Sequence, residues 1–188
     1  FYEYKKISFI AELTPNNNSL DLIKEFEIKN EKFQFFIDHL YLKTASEFNF
    51  GNKEINSYFH NLKISNDWQF LELAMIVSMN LYRQNENKKA LNFLEKCCLK
   101  ILEISKDPIH LFKYGILLER NNFIKKSEKI IQLSIDISEG SYPYILNYLA
   151  YLWVDNNRNL DVAEEMLTQA VEDSGYQDGA ILDSLGWL

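Results

Sequence analysis

The chain has 188 residues, of which 47% are hydrophobic and 25% charged, and its formal net charge at pH 7 is −7. This balance is typical of a folded chain. Because the sequence contains only 6 glycines and 3 prolines, we expect the chain to be almost wholly helical. No apolar run approaches the length of a membrane span, so we expect no membrane-spanning helix in these residues. The acidic net charge disfavours a nucleic-acid partner, and we expect none.

The first 67 residues are predicted to be helical without a clear repeat. A loop is expected at 16–18 and a helix at 19–29, because Ser19 followed by Leu20 and Asp21 is typical of a helix start. Residues 31–64 are interpreted as a degenerate repeat with a turn near 49–52. Apolar residues at helical spacing are expected in its core: Phe33, Phe36, Ile37, Leu40, Tyr41 and Phe48, then Ile55, Tyr58, Phe59 and Leu62.

From about residue 68 onward the sequence predicts helices in pairs. Polar links at 83–87, 120–122 and 155–159 suit turns within pairs, and links at 107–108, 140–143 and 174–179 separate one pair from the next. Pro108 and Pro143 suit the first turn of a helix. We therefore divide the chain into an N-terminal region, 1–67, and an array, 68–188. The array has units at about 68–106, 107–142 and 143–178, and a truncated unit at 179–188.

Small side chains recur at matching places of these pairs. They form three columns at intervals of 35 to 37 residues: Ser78, Gly115, Ala150 and Gly186; Ala90, Ser127 and Ala163; Cys97, Ser134 and Ala170. Two helices approach closely only where the facing side chains are small. A fixed period of this length therefore predicts a stack of helix pairs rather than one globular core.

Two further matches link the array to a known family. Leu182 and Leu185-Gly186 match the opening of a first repeat helix, and Ala163, Leu167 and Ala170 match a second one. The stretch 68–188 thereby resembles the tetratricopeptide repeat (TPR) family, and 148–188 is similar to a bacterial subgroup of it. The resemblance implies an all-α fold, an α-solenoid of antiparallel helix hairpins wound into a right-handed superhelix, and a bacterial source.

The resemblance also implies a binding surface, because the first helix of each pair lines a concave groove in similar proteins. The residues that it places there are Met75, Met79, Tyr82, Phe112, Ile116, Arg120, Tyr144, Asn147, Tyr151, Asp183 and Trp187. Such a mainly apolar set suits an extended peptide or a partner helix. The alternative is that several of these side chains pack against the neighbouring unit. With only Lys113 and Arg120 as nearby basic groups, a clamp for a C-terminal carboxylate is not expected.

No catalytic constellation is predicted. His39, His60 and His110 lie far apart and have no metal-ligand partner at helical spacing. The adjacent Cys97 and Cys98 point about 100° apart on a helix, which disfavours a disulfide between them, and Cys97 fits the packing column. Every glycine is isolated or lies between helices, so there is no phosphate-binding loop. We expect no cofactor, no metal site and no enzymatic activity.

The preferred hypothesis is a non-catalytic scaffold that binds a protein or peptide partner in the groove. An alternative is the substrate-recognition arm of an enzyme whose catalytic domain lies outside residues 1–188, and a third is self-association through the end repeats. The start at Phe1 and the end at Leu188 lead us to expect a fragment of a longer array. The cytoplasm and the periplasm are both compatible with the sequence, which does not identify the partner.

Overall fold

The computed structural model describes residues 17–25, 31–47, 51–64 and 66–188, and all regular elements in them are α-helices. None of these helices is both long and apolar enough to cross a membrane. The helices are α1 Asn17–Glu25, α2 Glu31–Glu47, α3 Asn52–His60, α4 Asp67–Arg83, α5 Asn87–Ile104, α6 Pro108–Glu119, α7 Ile124–Ser138, α8 Pro143–Asp155, α9 Leu160–Asp173 and α10 Gly179–Trp187. They group into two compact units, Phe1–Ile104 and Ser105–Leu188.

In the first unit, α2 packs against α1, α3 and α4, and α4 forms a hairpin with α5. Each helix contributes a fully buried side chain to the core: Ile23, Leu42, Ile55, Leu73 and Leu94. The hydroxyl of Tyr58 in α3 donates to Asp38 in α2 at 2.9 Å, and its ring stacks on that of Tyr41 at 3.9 Å between centroids. This polar and aromatic contact joins α2 to α3.

The structure differs from the sequence analysis at one place in α1 and at one in α2. Asn17 and Asn18 belong to α1 rather than to a loop, and Ser19 is buried inside the helix instead of preceding it. Within the predicted aromatic stripe, Ile37, Leu40 and Tyr41 are buried as expected, but Phe36 is 47% exposed. The side chain of Phe33, residues 48–50 and residues 26–30 lie outside the described residues. The predicted division at residue 67 and the degenerate repeat stay predictions.

In the second unit, α6 with α7 and α8 with α9 form two helix hairpins, and α10 packs against α8 and α9. The hairpin of α6 and α7 is antiparallel, because Ser127 donates to the carbonyl of Gly115 and Ser134 to the carbonyl of Pro108. The observed helix ends follow the predicted links to within about two residues. Pro108 and Pro143 both lie in the first turn of a helix, as predicted.

The small-residue columns lie where the paired helices touch. Ser78 Oγ donates to the carbonyl of Ala90 at 2.8 Å, and in the next pair Ser127 Oγ donates to the carbonyl of Gly115 at 2.8 Å. In both pairs one hydrogen bond therefore joins the same two columns. The serine that donates it lies on the first helix in one pair and on the second helix in the other. In the third pair, Ala150 and Ala163 pack together without a polar group.

Two members of the columns differ from the prediction. Cys97 is only half-buried, whereas its neighbour Cys98 is buried. Gly186 in α10 is exposed, and a β-carbon at this position would meet no atom within 4 Å. The other eight members are buried, which agrees with the close helix contacts that the columns predict.

The three hairpins also share one turn geometry that the sequence analysis did not foresee. Asn85, Asn122 and Asn157 have left-handed backbones, with φ of 62°, 65° and 51°. The residue that follows each asparagine donates its backbone N–H to the carbonyl oxygen five positions before itself, at 2.9 to 3.0 Å. This is the Schellman ending of a helix, in which asparagine replaces the more usual glycine. The same turn therefore closes α4, α6 and α8.

Replacing Asn122 tests this turn. We expect Asn122→Ala to lower the free energy of unfolding by about 1 kcal/mol, because a β-carbon without a locally bonding polar group disfavours the left-handed backbone. Asn122→Gly should cause no loss, since glycine adopts this conformation freely. Urea denaturation followed by circular dichroism measures both variants. Equal losses for alanine and glycine would show that the side chain, and not the backbone conformation, is what matters.

Candidate partner-binding surface

One face of α8 carries tyrosines at helical spacing. Tyr144, Tyr148 and Tyr151 follow each other at intervals of four and three residues, so they lie along one side of the helix. Tyr144 is 42% exposed and Tyr151 43% exposed, whereas Tyr148 between them is half-buried. The helix turns its opposite face to the core through Ile145, Leu146 and Leu149. An exposed aromatic face thus stands on a rigid helix.

The base of this face comes from α6. The ring of Phe112 lies edge-on to the rings of Tyr144 and Tyr148, at 5.5 and 5.3 Å between centroids. The ring of Tyr142, which precedes α8, lies 5.7 Å from that of Tyr144. Edge-to-face contacts at these distances favour the ring pairs beyond simple burial. Phe112 therefore supports Tyr144 and Tyr148 while its own side chain is buried.

A polar cluster borders the aromatic rings at the end of α6. The Tyr148 hydroxyl donates to Glu119 Oε2 at 3.2 Å, and Arg120 Nε lies 3.2 Å from the same oxygen. The Arg120 side chain is about half exposed. Burial, and to a smaller extent Tyr142 and Asp107, raises the pKa of Tyr144, so its phenol stays protonated at neutral pH and can donate a hydrogen bond. The surface therefore offers apolar area with donors and one guanidinium at its border.

Asn147 adds an unsatisfied acceptor to this face. Its Oδ1 is shielded from solvent and has no hydrogen-bond partner within the described residues. A buried amide oxygen without a donor costs about 1–3 kcal/mol. Because this oxygen is shielded, a partner docked on the surface does not reach it in this conformation.

The structure places the other predicted groove residues as follows. Ile116 is half-buried against the core of the second unit, and Asp183 and Trp187 are exposed on α10. In the first unit, Met79 and Tyr82 are half-buried on α4. Met75 is fully buried and Phe112 almost so, because both side chains are part of the core rather than of the surface. Neither has surface to offer a partner in this conformation, and we omit both from the candidate surface.

Two residues of the candidate surface were missed from the sequence. Tyr148 was not singled out, although it lies four residues after Tyr144 and three before Tyr151. Glu119 was missed because nothing in the sequence indicates that the tyrosine hydroxyl reaches it across 29 positions. The helical spacing of the tyrosines could have identified Tyr148, whereas no pattern in the sequence indicated Glu119.

The other titratable groups with displaced pKa values belong to the first unit. Burial raises the pKa of Asp38, which accepts hydrogen bonds from Gln34 and Tyr58 in the first unit. Burial, with Cys97 beside it, raises the pKa of Cys98 to about 12, so that thiol stays protonated. Among the residues that the structure describes, no three His, Cys, Asp or Glu side chains are placed to hold a metal ion.

No protein-family model and no curated protein sequence matches the chain. Solved structures do match it. The MamA RS-1 ArsTM double mutant aligns with a TM-score of 0.66 and 16% identity, over 95% of this chain and 96% of that chain. MamA 41-end from Desulfovibrio magneticus RS-1 aligns with a TM-score of 0.63 and 16% identity, over 95% and 97%. At this identity the similarity shows the fold alone, and that fold is an all-helical repeat of the TPR type.

Proposed function

We propose that the protein is a non-catalytic scaffold that binds an extended peptide segment of a protein partner on the face formed by α6 and α8. The observation that carries the proposal is the exposed tyrosine pair, Tyr144 and Tyr151, on a helix whose opposite face is buried. Aromatic side chains that are fixed before binding offer contact area at little entropic cost.

The proposed mode of binding is apolar contact. Apolar side chains of the peptide bury the exposed parts of Tyr144 and Tyr151. Tyr144 and Tyr151 lie seven residues, or about 10 Å, apart along the helix. About four residues of an extended chain span that distance.

A comparison of wild type with the double variant Tyr144→Ala, Tyr151→Ala tests the proposal. Immobilised protein is first used to recover partners from a cell lysate, and the recovered segment is then synthesised and titrated by calorimetry. We expect at least a tenfold loss of affinity in the double variant, because aromatic anchors often contribute more than 1 kcal/mol each.

The matched control is Phe123→Ala with Tyr176→Ala. These two aromatic side chains are also exposed, but they lie in the links before α7 and before α10. The control should retain wild-type affinity. Equal recovery and equal affinity for the α8 double variant and wild type would rule out this face as the binding surface.

A further inference from the structure

The spacing of the exposed tyrosines on α8 selects the conformation of a bound peptide. Tyr144 and Tyr151 fall on one side of the helix, about 10 Å apart along its axis. Side chains on one side of a β-strand recur at every second residue, at about 6–7 Å and then at about 13 Å, and neither distance matches. A polyproline II helix brings every third side chain to the same side, at about 9 Å. The polyproline II conformation therefore places two side chains of one peptide on both tyrosines, whereas a β-strand does not.

The hydrogen-bonding groups of the surface favour the same conformation. The hydroxyls of Tyr144 and Tyr151 have no hydrogen-bond partner within the described residues, so each can donate to a carbonyl of a peptide. Glu119 already accepts from Tyr148, and Asn147 Oδ1 is shielded, so neither acceptor is open to a backbone N–H. A polyproline II helix has no internal hydrogen bonds and exposes its carbonyls, and proline has no N–H. A proline-rich segment thus matches the donors and brings few N–H groups that would stay unpaired.

Little conformational freedom is lost when such a segment binds. The ring of Tyr144 is supported before binding by Phe112 and by Tyr142, at 5.5 and 5.7 Å between centroids. On the side of the peptide, a proline side chain is a closed ring with no rotamer entropy to lose. A polyproline II segment also keeps its conformation when it is free in solution. The entropic cost of binding is therefore small for both partners.

A carboxylate continues the row of tyrosines at the end of α8. Asp155 lies four residues after Tyr151 on the same side of the helix, is exposed, and has no ion pair within the described residues. It is about 6 Å beyond Tyr151 along the helix axis, which is the length of about two polyproline II residues. The guanidinium that borders the face, that of Arg120, is already paired with Glu119. The charge at this end of the row therefore favours a basic side chain in the peptide.

We propose that the peptide bound on the face of α6 and α8 is a proline-rich segment in the polyproline II conformation, with a basic residue at one end. Two of its prolines, three positions apart, pack on Tyr144 and Tyr151, and its basic side chain pairs with Asp155. This inference rests on the proposed function, because it names the chemical class of the peptide for that same surface.

Two synthetic peptides of equal length and charge provide the test. One is an oligoproline of about nine residues, or three polyproline II turns, with a pair of lysines at each end. The other has alternating serine and glycine in place of the prolines. We expect fluorescence anisotropy to show at least tenfold tighter binding of the oligoproline to the wild type, and a loss of at least tenfold in Tyr144→Ala, Tyr151→Ala. The Phe123→Ala, Tyr176→Ala control should bind the oligoproline like wild type.

Two conservative variants separate the individual contacts. Tyr151→Phe keeps the ring and removes the hydroxyl, and we expect it to bind the oligoproline about fivefold more weakly, as the loss of one hydrogen bond predicts. Asp155→Asn should weaken binding of the lysine-flanked oligoproline about threefold at low salt and leave that of an acetylated oligoproline without lysines unchanged. Both variants should keep the melting temperature of the wild type, because both side chains are exposed.

Three outcomes would overturn the inference. The first is that the wild type binds the serine–glycine peptide as tightly as the oligoproline, or binds neither. The second is unchanged oligoproline affinity in the tyrosine double variant, and the third is equal binding of the lysine-flanked oligoproline by Asp155→Asn and wild type. The proposed function fails or stands separately. A segment without prolines that is recovered from the lysate, and that loses its affinity in Tyr144→Ala, Tyr151→Ala, would overturn the polyproline inference and support the proposed function.

Discussion

Leu167→Ala is expected to lower the free energy of unfolding by about 3 kcal/mol. Leu167 is fully buried in α9, where it packs with Ala150 and Ala163, and the side chains of Trp153 and Met166 border this cluster. Truncation removes the burial of three carbons and leaves a cavity that rigid neighbouring helices fill only in part. Urea denaturation followed by circular dichroism measures the loss.

Leu160→Ala is the matched control, because it makes the same chemical change in the same helix. Leu160 is 41% exposed at the start of α9, so the expected loss is below about 0.5 kcal/mol. The comparison separates packing from helix propensity. A loss for Leu167→Ala no larger than that of the control would contradict the tight hairpin core on which the second unit depends.

Gly115→Ala is expected to destabilise the protein by about 2 kcal/mol, although alanine favours a helix over glycine by about 1 kcal/mol. The new methyl group would overlap Ile131 Cγ1 and come within 3.1 Å of Ile131 Cδ1. Ile131 branches at its β-carbon and has essentially one side-chain rotamer in a helix, so Cγ1 cannot turn away. The helices must then separate or the side chain must strain.

Adding Ile131→Leu should relieve most of this loss. The double variant recreates the combination of Ala150 with Leu167 and resembles that of Ser78 with Leu94, in which the anchor is a leucine. We expect a coupling free energy of at least about 1 kcal/mol in a double-mutant cycle, and a loss below about 1.5 kcal/mol for Ile131→Leu alone. Additive losses would mean that the sizes of the side chains at positions 115 and 131 do not compensate each other.

These two tests concern the part of the fold that local signals predict well. Prolines at 108 and 143 and the polar links mark helix ends because they act through backbone dihedrals and hydrogen bonds within a few residues. The small-residue columns predicted helix contacts because the same contact recurs in each pair, so one spacing is repeated along the chain. The hydrogen bonds of Ser78 and Ser127 lie at these contacts.

The candidate surface was less predictable, and particular residues show why. Met75 and Tyr82 occupy one side of α4 by spacing, yet Met75 is fully buried and Tyr82 half-buried. Phe112 was assigned to the groove but packs beneath Tyr144 and Tyr148. Spacing along a helix tells which side chains share a face, but not how deeply a neighbouring helix covers that face.

The sequence by itself determined that the chain is helical, where its hairpins begin and end, and which small residues let paired helices touch. Only the tertiary structure decided which aromatic side chains stay exposed and that Glu119 and Arg120 border them. The physical reason is the range of the interactions. Helix starts, turns and periodic contacts depend on neighbours within one repeat, whereas exposure depends on every helix that packs nearby.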